Sequence, residues 1–385
     1  MEHMPPTTTA LRPYAIVLVL AVLSTCYFQY LAHAPVLAFV SSLCAITPCA
    51  FLMGYATEQI AMQTTDALGG LLNATFGNAA EAIIAFLALR NAASAGPGTE
   101  TEATMIALVQ ASMIGSILGN LLLVMGLAFL WGGMHYKQQR FSGDIGSVSG
   151  SLLLLMVLVL SIPTCFSSFE FPSPPHEAVE RLSRVAAVVL LILYGLFLYF
   201  QLVTHAGEFH DKGDAAAVVH EHPSMSTSHA ALLLVLATAL ISWMAEVLVH
   251  SVEEAAHALH LPNAFIGTIL LPLFGNAAEH FSAVSVAAKD KMDLSFAISM
   301  GSSTQIAVFV APLMVIVGWL LGVPLSFDFG LLPTLATFLS VLIVNSIIAD
   351  GKSHWLEGAT LLGAYTVLGA AFLFVPEGSD GQSPG

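Results

Sequence analysis

The amino-acid sequence predicts an all-α polytopic membrane protein of about eleven transmembrane helices, a first helix followed by two inverted five-helix repeats. Three observations predict it. Of 385 residues, 57% are hydrophobic and only 9% charged, with a mean hydropathy of +0.83, whereas a soluble domain carries roughly 25% charged residues. Apolar runs of about 20 residues, long enough to cross a bilayer, recur from end to end. Within two of these runs the same pentapeptide occurs, Gly77-Asn78-Ala79-Ala80-Glu81 and again Gly275-Asn276-Ala277-Ala278-Glu279.

Loop signals divide the chain into helical spans near 14–31, 36–60, 69–90, 104–131, 148–165, 183–203, 230–258, 263–287, 293–321, 328–348 and 354–375. The runs do not alternate as the strands of an outer-membrane barrel would. The N-terminal segment has almost no basic region and reads as a retained tail, not a signal peptide. Residues 1–31 are then the tail and first helix, 32–203 the first repeat, 204–229 a connecting loop, 230–375 the second repeat and 376–385 a C-terminal tail. The connecting loop mixes His with acids and reads as a solvated linker. The four cysteines, Cys26, Cys44, Cys49 and Cys165, fall in or beside apolar runs without metal-ligand spacing and read as small buried residues.

The net charge of −15 reflects only 10 Lys and Arg, which excludes a basic nucleic-acid surface. With the N-terminus inside, the inner loops carry Arg12, Lys137, Arg140, Lys212, Lys289, Lys291 and Lys352, and the outer side Arg90, Arg181 and Arg184. Basic residues concentrate on cytoplasmic loops, so the N-terminus is expected in the cytoplasm. The short loops point to a prokaryotic inner membrane.

The repeat is more than Leu/Ala similarity. Between 71–86 and 269–284, eight of sixteen positions are identical, including Phe76/Phe274 and the whole pentapeptide. The copies fall on the third and eighth spans. An offset of five spans is odd, so they run in opposite directions. Inverted repeats place a substrate site near the bilayer midplane.

On a continuous helix Gly77, Asn78 and Glu81 share a face, and so do Gly275, Asn276 and Glu279. The glycines allow close approach of a backbone or an ion. A charged carboxylate at midplane costs on the order of several kcal/mol. No Lys or Arg lies within reach to neutralise it, Arg90 being nine residues past Glu81 at the end of its span and Lys289 ten past Glu279, so each Glu is either protonated or bound to a cation. Two carboxylates with amide and backbone oxygens suit a hard divalent ion such as calcium, and Glu81 and Glu279 are the expected metal ligands. Their two negative charges are balanced by one divalent cation or by two protons. Alternation between those loads is proton-coupled antiport. Ser302 and Gln305 of the ninth span, and Gln110 and Ser116 of the fourth, are candidate polar support; helix–helix packing is the plainer reading of such residues. His280, Glu58 and Glu246 are candidates for proton coupling or access. No hydrolase signature such as Gly-x-Ser-x-Gly or His-Glu-x-x-His appears, and neither an enzyme nor a resident cofactor is expected. Rival readings are exchange of Mn2+ or Na+ for H+, and a passive cation channel.

These motifs resemble the calcium/proton exchanger family of the cation/calcium exchanger superfamily. The residues that carry the resemblance are 68–85, 109–126, 265–284 and 301–312, with "ATEQIA" (56–61) and "AEVLVHSVE" (245–253). The resemblance implies eleven helices in two inverted halves, with Ca2+ and H+ as the substrates. It implies that Glu81 and Glu279 are principal ligands, that Asn78, Asn276, Ser302 and Gln305 support them, and that His280 takes part in proton coupling. It also implies regulation by an acidic segment between the halves, where this chain mixes His with acids. The sister sodium/calcium exchangers carry Gly-Thr-Ser-x-Pro-Glu-like repeats; Gly-Asn-Ala-Ala-Glu favours the proton as counter-ion.

Overall fold

The computed structural model describes residues 8–141, 143–169, 174–204 and 223–375. Most of the connecting loop, residues 205–222, lies outside them, as do the two chain ends. The described chain is built of helices. They are α1 (Thr8–Cys26), α2 (Pro35–Ala61), α3 (Asp66–Phe76), α4 (Ala79–Ala95), α5 (Glu100–Leu118), α6 (Met125–His135), α7 (Gly143–Phe169), α8 (His176–Tyr199) and α9 (Thr227–Leu259). There follow α10 (Asn263–Phe265), α11 (Leu271–Gly275), α12 (Ala277–Ala287), α13 (Met292–Gln305), α14 (Ala311–Leu321), α15 (Leu331–Ile348) and α16 (Trp355–Leu373). Among the described residues eight helices are long and apolar enough to cross a membrane, with two shorter apolar ones at Ile16–Leu31 and Asn263–Gly275.

Two features differ from a run of unbroken helices. The predicted third and eighth spans are each seamed within the repeated motif, between α3 and α4 at Gly77–Asn78, and between α11 and α12 at Asn276. Several other spans contain π-helical turns, notably Gly119–Val124 between α5 and α6 and Ile306–Val310 between α13 and α14. Such wide turns mark functional positions in helices. Among the described residues the strand pairing is a two-residue antiparallel bridge between β1 (Gln139–Arg140) and β2 (Lys352–Ser353).

The chain divides into two compact units that interleave along the sequence: Met1–Leu87, Ala217–Leu261 and Phe274–Ala278 form the first, and the remainder the second. In the first unit α2 lies along α9. Their apolar seam is Cys49, Ala50 and Met53 of α2 with Ala237 and Ile241 of α9, all buried. One end of the pair is clasped by polar side chains. Gln59 Oε1 accepts from the backbone N–H of Ser224 at 2.8 Å, and Gln63 Nε2 donates to the carbonyl of Met225 at 3.1 Å.

The second unit has two distinct ends. At one, β1 pairs with β2, and Gln139 Nε2 donates to the carbonyl of Ala287 and to Asp290 Oδ1, both at 2.9 Å. This gathers the loops bearing Lys137, Arg140, Lys289, Lys291 and Lys352. At the other, the segment between α14 and α15 is held by three helices. Gln110 Nε2 donates to the carbonyls of Ser326 and Asp328, Thr164 donates to the carbonyl of Phe327, and Ser183 Oγ accepts from the Phe327 N–H. The arginines at this end are neutralised locally, Arg181 by Glu177 and Arg184 by Glu180, each one helical turn away.

Candidate functional site

In the first unit, the motif's alanines explain themselves by packing. Ala80 is 1% exposed and sits in the α2–α9 seam, with Ala79 and Ile83 alongside. Small side chains let α4 dock closely, and docking turns the next residue, Glu81, inward. Glu81 stands in the first turn of α4, where the helix dipole favours negative charge. Both of its carboxylate oxygens are buried without a hydrogen-bond partner. The carboxylate lies against the second copy of the motif: a Cβ on Gly275 would stand 3.3 Å from Glu81 Oε1. The neighbouring Asn276 is 2% exposed, and both its amide atoms are buried without partners. Asn78 is 1% exposed. A buried amide and carboxylate left unsatisfied each cost free energy, so this group is suited to a guest that brings positive charge.

The seams change how the motif works. Gly77 keeps right-handed helical angles and its N–H still reaches the carbonyl of Asn73 at 2.9 Å, so the shared face of Gly77, Asn78 and Glu81 persists. But Glu81 and Glu279 each stand in the first turn of a new helix, α4 and α12, and do not sit mid-helix. Sequence reasoning had expected the motif within a continuous helix.

In the second unit, the fourth and ninth spans supply a second polar group at their π turns. Asn120, within the first π turn, donates from Nδ2 to Ser302 Oγ at 2.8 Å; both residues are buried and the Asn120 Oδ1 has no partner. Ser302 and Gln305 close α13 immediately before the second π turn. Ser116 is buried nearby in sequence, on the last turn of α5. Glu279 stands in the first turn of α12, and His280 beside it is 9% exposed with Nε2 unpartnered. Asn120 was not singled out from the sequence, and the π turn that holds it carries no residue signature.

Other candidates sit elsewhere. The Gln110 amide is spent on the Ser326 and Asp328 carbonyls, and the residue lines a cavity of about 770 Å³ with Asn263, Thr268 and Asp328. Glu246 is partly exposed and bonds His250 at 3.0 Å, one turn on. Glu58 is exposed near the end of α2.

A family model for the sodium/calcium exchanger protein matches residues 34–203 and 229–374. The chain is 43% identical over 349 residues to the Ca(2+)/H(+) antiporter of Aphanothece halophytica, covering 88% of this chain and 90% of that protein. It is 40% identical over 355 residues to the vacuolar cation/proton exchanger 3 of Oryza sativa subsp. japonica, covering 89% and 82%. Among solved structures, native YfkE superimposes with a TM-score of 0.78 at 32% identity, over 94% of this chain and all of that one. On the extent of these matches, the chain belongs to the sodium/calcium exchanger protein family.

Proposed function

We propose that the chain is a secondary transporter that exchanges Ca2+ for H+ by alternating access, with Glu81 and Glu279 alternately binding the cation and protons. The observation that carries it is the Glu81 carboxylate: buried, without a hydrogen-bond partner, set against Gly275 and next to an equally unsatisfied Asn276. A carboxylate in that setting needs a proton or a cation, and the two exclude each other at one oxygen. The names of the relatives support calcium as the cation and the proton as its counter-ion.

The oxygens offered to the cation are hard: the carboxylates of Glu81 and Glu279, the amides of Asn78 and Asn276, and the Ser302 and Gln305 side chains. Calcium accepts such a mixed and irregular shell, roughly 6–8 oxygens. Asn120 orients the Ser302 hydroxyl. His280 is placed to pass a proton beside Glu279, and Glu58 and Glu246 serve the access route. We place eleven spans in a prokaryotic inner membrane, with the lysine-bearing end of the second unit and the N-terminus in the cytoplasm. The chain works without a resident cofactor and is not an enzyme.

The test is calcium uptake by everted vesicles driven by an imposed pH gradient. Glu81→Gln and Glu279→Gln each abolish uptake while the protein still inserts. Uptake that survives both changes overturns the ligand assignment. Uptake without proton counterflow makes the protein a channel, and stronger competition by Mn2+ or Na+ than by unlabelled Ca2+ changes the cation.

A further inference from the structure

We propose that Thr47 is a positioning residue for the cation site, its hydroxyl holding the seam of the second motif in place against the Glu81 carboxylate. Thr47 Oγ1 donates to the backbone carbonyl of Phe274 at 3.1 Å, from α2 to the residue preceding Gly275. No motif pointed to Thr47.

The direction of this bond is informative. Ser and Thr hydroxyls inside helices ordinarily bond back to a carbonyl of their own helix. On α2, Ser41, Ser42 and Thr57 all do so, reaching Ala38, Phe39 and Met53. On α9, Thr238, Ser242 and Ser251 do the same. Thr47 departs from the pattern, and its target is the helix end that most needs support. The α11 helix is only five residues long and includes Pro272, which donates no backbone hydrogen bond. It is flanked by the π turn Ile266–Leu270 and by the seam at Asn276. So short a helix has few bonds of its own, and the carbonyls at its end need outside partners.

Three successive residues then have three separate environments. The Phe274 carbonyl is held by Thr47, the Gly275 backbone is covered by Glu81, and the Asn276 side chain is left with both amide atoms unpartnered. Fixing Phe274 fixes the register of the next two residues, and so the distance from the Asn276 amide oxygen to the carboxylate. Thr47 acts through the backbone and does not itself touch the cation.

This inference rests on the antiport reading, and the experiment separates the two. Everted vesicles carrying wild type, Thr47→Val and Thr47→Ser are compared for the KM and Vmax of pH-driven Ca2+ uptake, with Ca2+ binding measured on the purified proteins. Val keeps the shape and removes the hydroxyl; Ser restores it. One hydrogen bond corresponds to about threefold to tenfold in affinity. The expected result is a KM raised by that factor in Thr47→Val, a matching loss of binding, Vmax within about twofold of wild type, and recovery in Thr47→Ser. An unchanged KM in Thr47→Val overturns the proposal, as does an equal defect in Val and Ser, which would make Thr47 a packing residue. Should the Val protein fail to insert, Thr47→Ala carries the same comparison. Wild-type vesicles that show no Ca2+/H+ exchange overturn the antiport reading, and this inference falls with it.

Discussion

Glu81 and Gly275 are coupled by contact, and the coupling predicts opposite fates for two glycine substitutions. A Cβ on Gly275 would meet the Glu81 Oε1 at 3.3 Å, the far end of a flexible side chain that no hydrogen bond holds. The carboxylate can give way by a few tenths of an ångström. Gly275→Ala is therefore expected to fold, with a thermal midpoint in detergent close to wild type, and to raise the KM for Ca2+ several-fold because the carboxylate is displaced. A Cβ on Gly115 would stand 2.2 Å from the backbone oxygen of Thr268. Backbone cannot step aside, and overpacking of this kind costs about 1–3 kcal/mol or more. Gly115→Ala is expected to lower the thermal midpoint and the yield, whatever remains of transport. At this scale the sequence was largely legible. A Gly-Asn-x-x-Glu group repeated in apolar surroundings announces itself by chemistry. Thr47 and Asn120 did not, because a hydroxyl or an amide in a membrane helix reads the same whether it bonds its own helix or a neighbour.

The helical elements were legible in extent and not in their interruptions. Predicted span 36–60 is Pro35–Ala61, and 263–287 is covered by α10, its π turn, α11 and α12. The seam in the eighth span had a local sign in Pro272, but the third span has Ala74 in its place and is seamed at the same motif. The π turns at Gly119–Val124 and Ile306–Val310 carry no common residue pattern; they are set by packing between helices. The same holds for the β1–β2 bridge, two residues long and invisible to any periodicity. Its support predicts a stability effect. Gln139 is 1% exposed and donates to both Ala287 and Asp290. Gln139→Leu removes both bonds and leaves a buried carbonyl with one donor fewer, a loss of about 1–3 kcal/mol. The expected outcome is a lower thermal midpoint in detergent with the KM for Ca2+ unchanged, since Gln139 bonds Ala287 and Asp290, eight or more residues past Glu279. A changed KM with an unchanged midpoint would assign Gln139 to transport.

For the molecule as a whole, the second unit tests the orientation independently of transport. The loops bearing Lys137, Lys289 and Lys352 are joined at one end by β1–β2 and by Gln139. If the chain crosses the membrane in alternating directions, they lie after the fourth, eighth and tenth spans, all on one side. Arg181 stands in the second turn of α8, at the opposite end, and is paired with Glu177. Basic loops stay in the cytoplasm, which sets the sign. The measurement is labelling of single cysteines by a membrane-impermeant thiol reagent, in a background where Cys26, Cys44, Cys49 and Cys165 have been replaced. Cysteines at 137, 289 and 352 are expected to react in everted vesicles and to be protected in intact cells, and a cysteine at 181 to do the reverse. If all four reverse together, the spans stand and the orientation is wrong. If 137 and 289 disagree, the count of spans between the fourth and eighth is wrong, and with it the antiparallel placement of the two motifs; if 352 alone disagrees, the error lies in the ninth or tenth span and that placement stands. The inverted repeat needs an odd offset between the spans that carry Glu81 and Glu279, so this experiment reaches the carboxylates through topology alone.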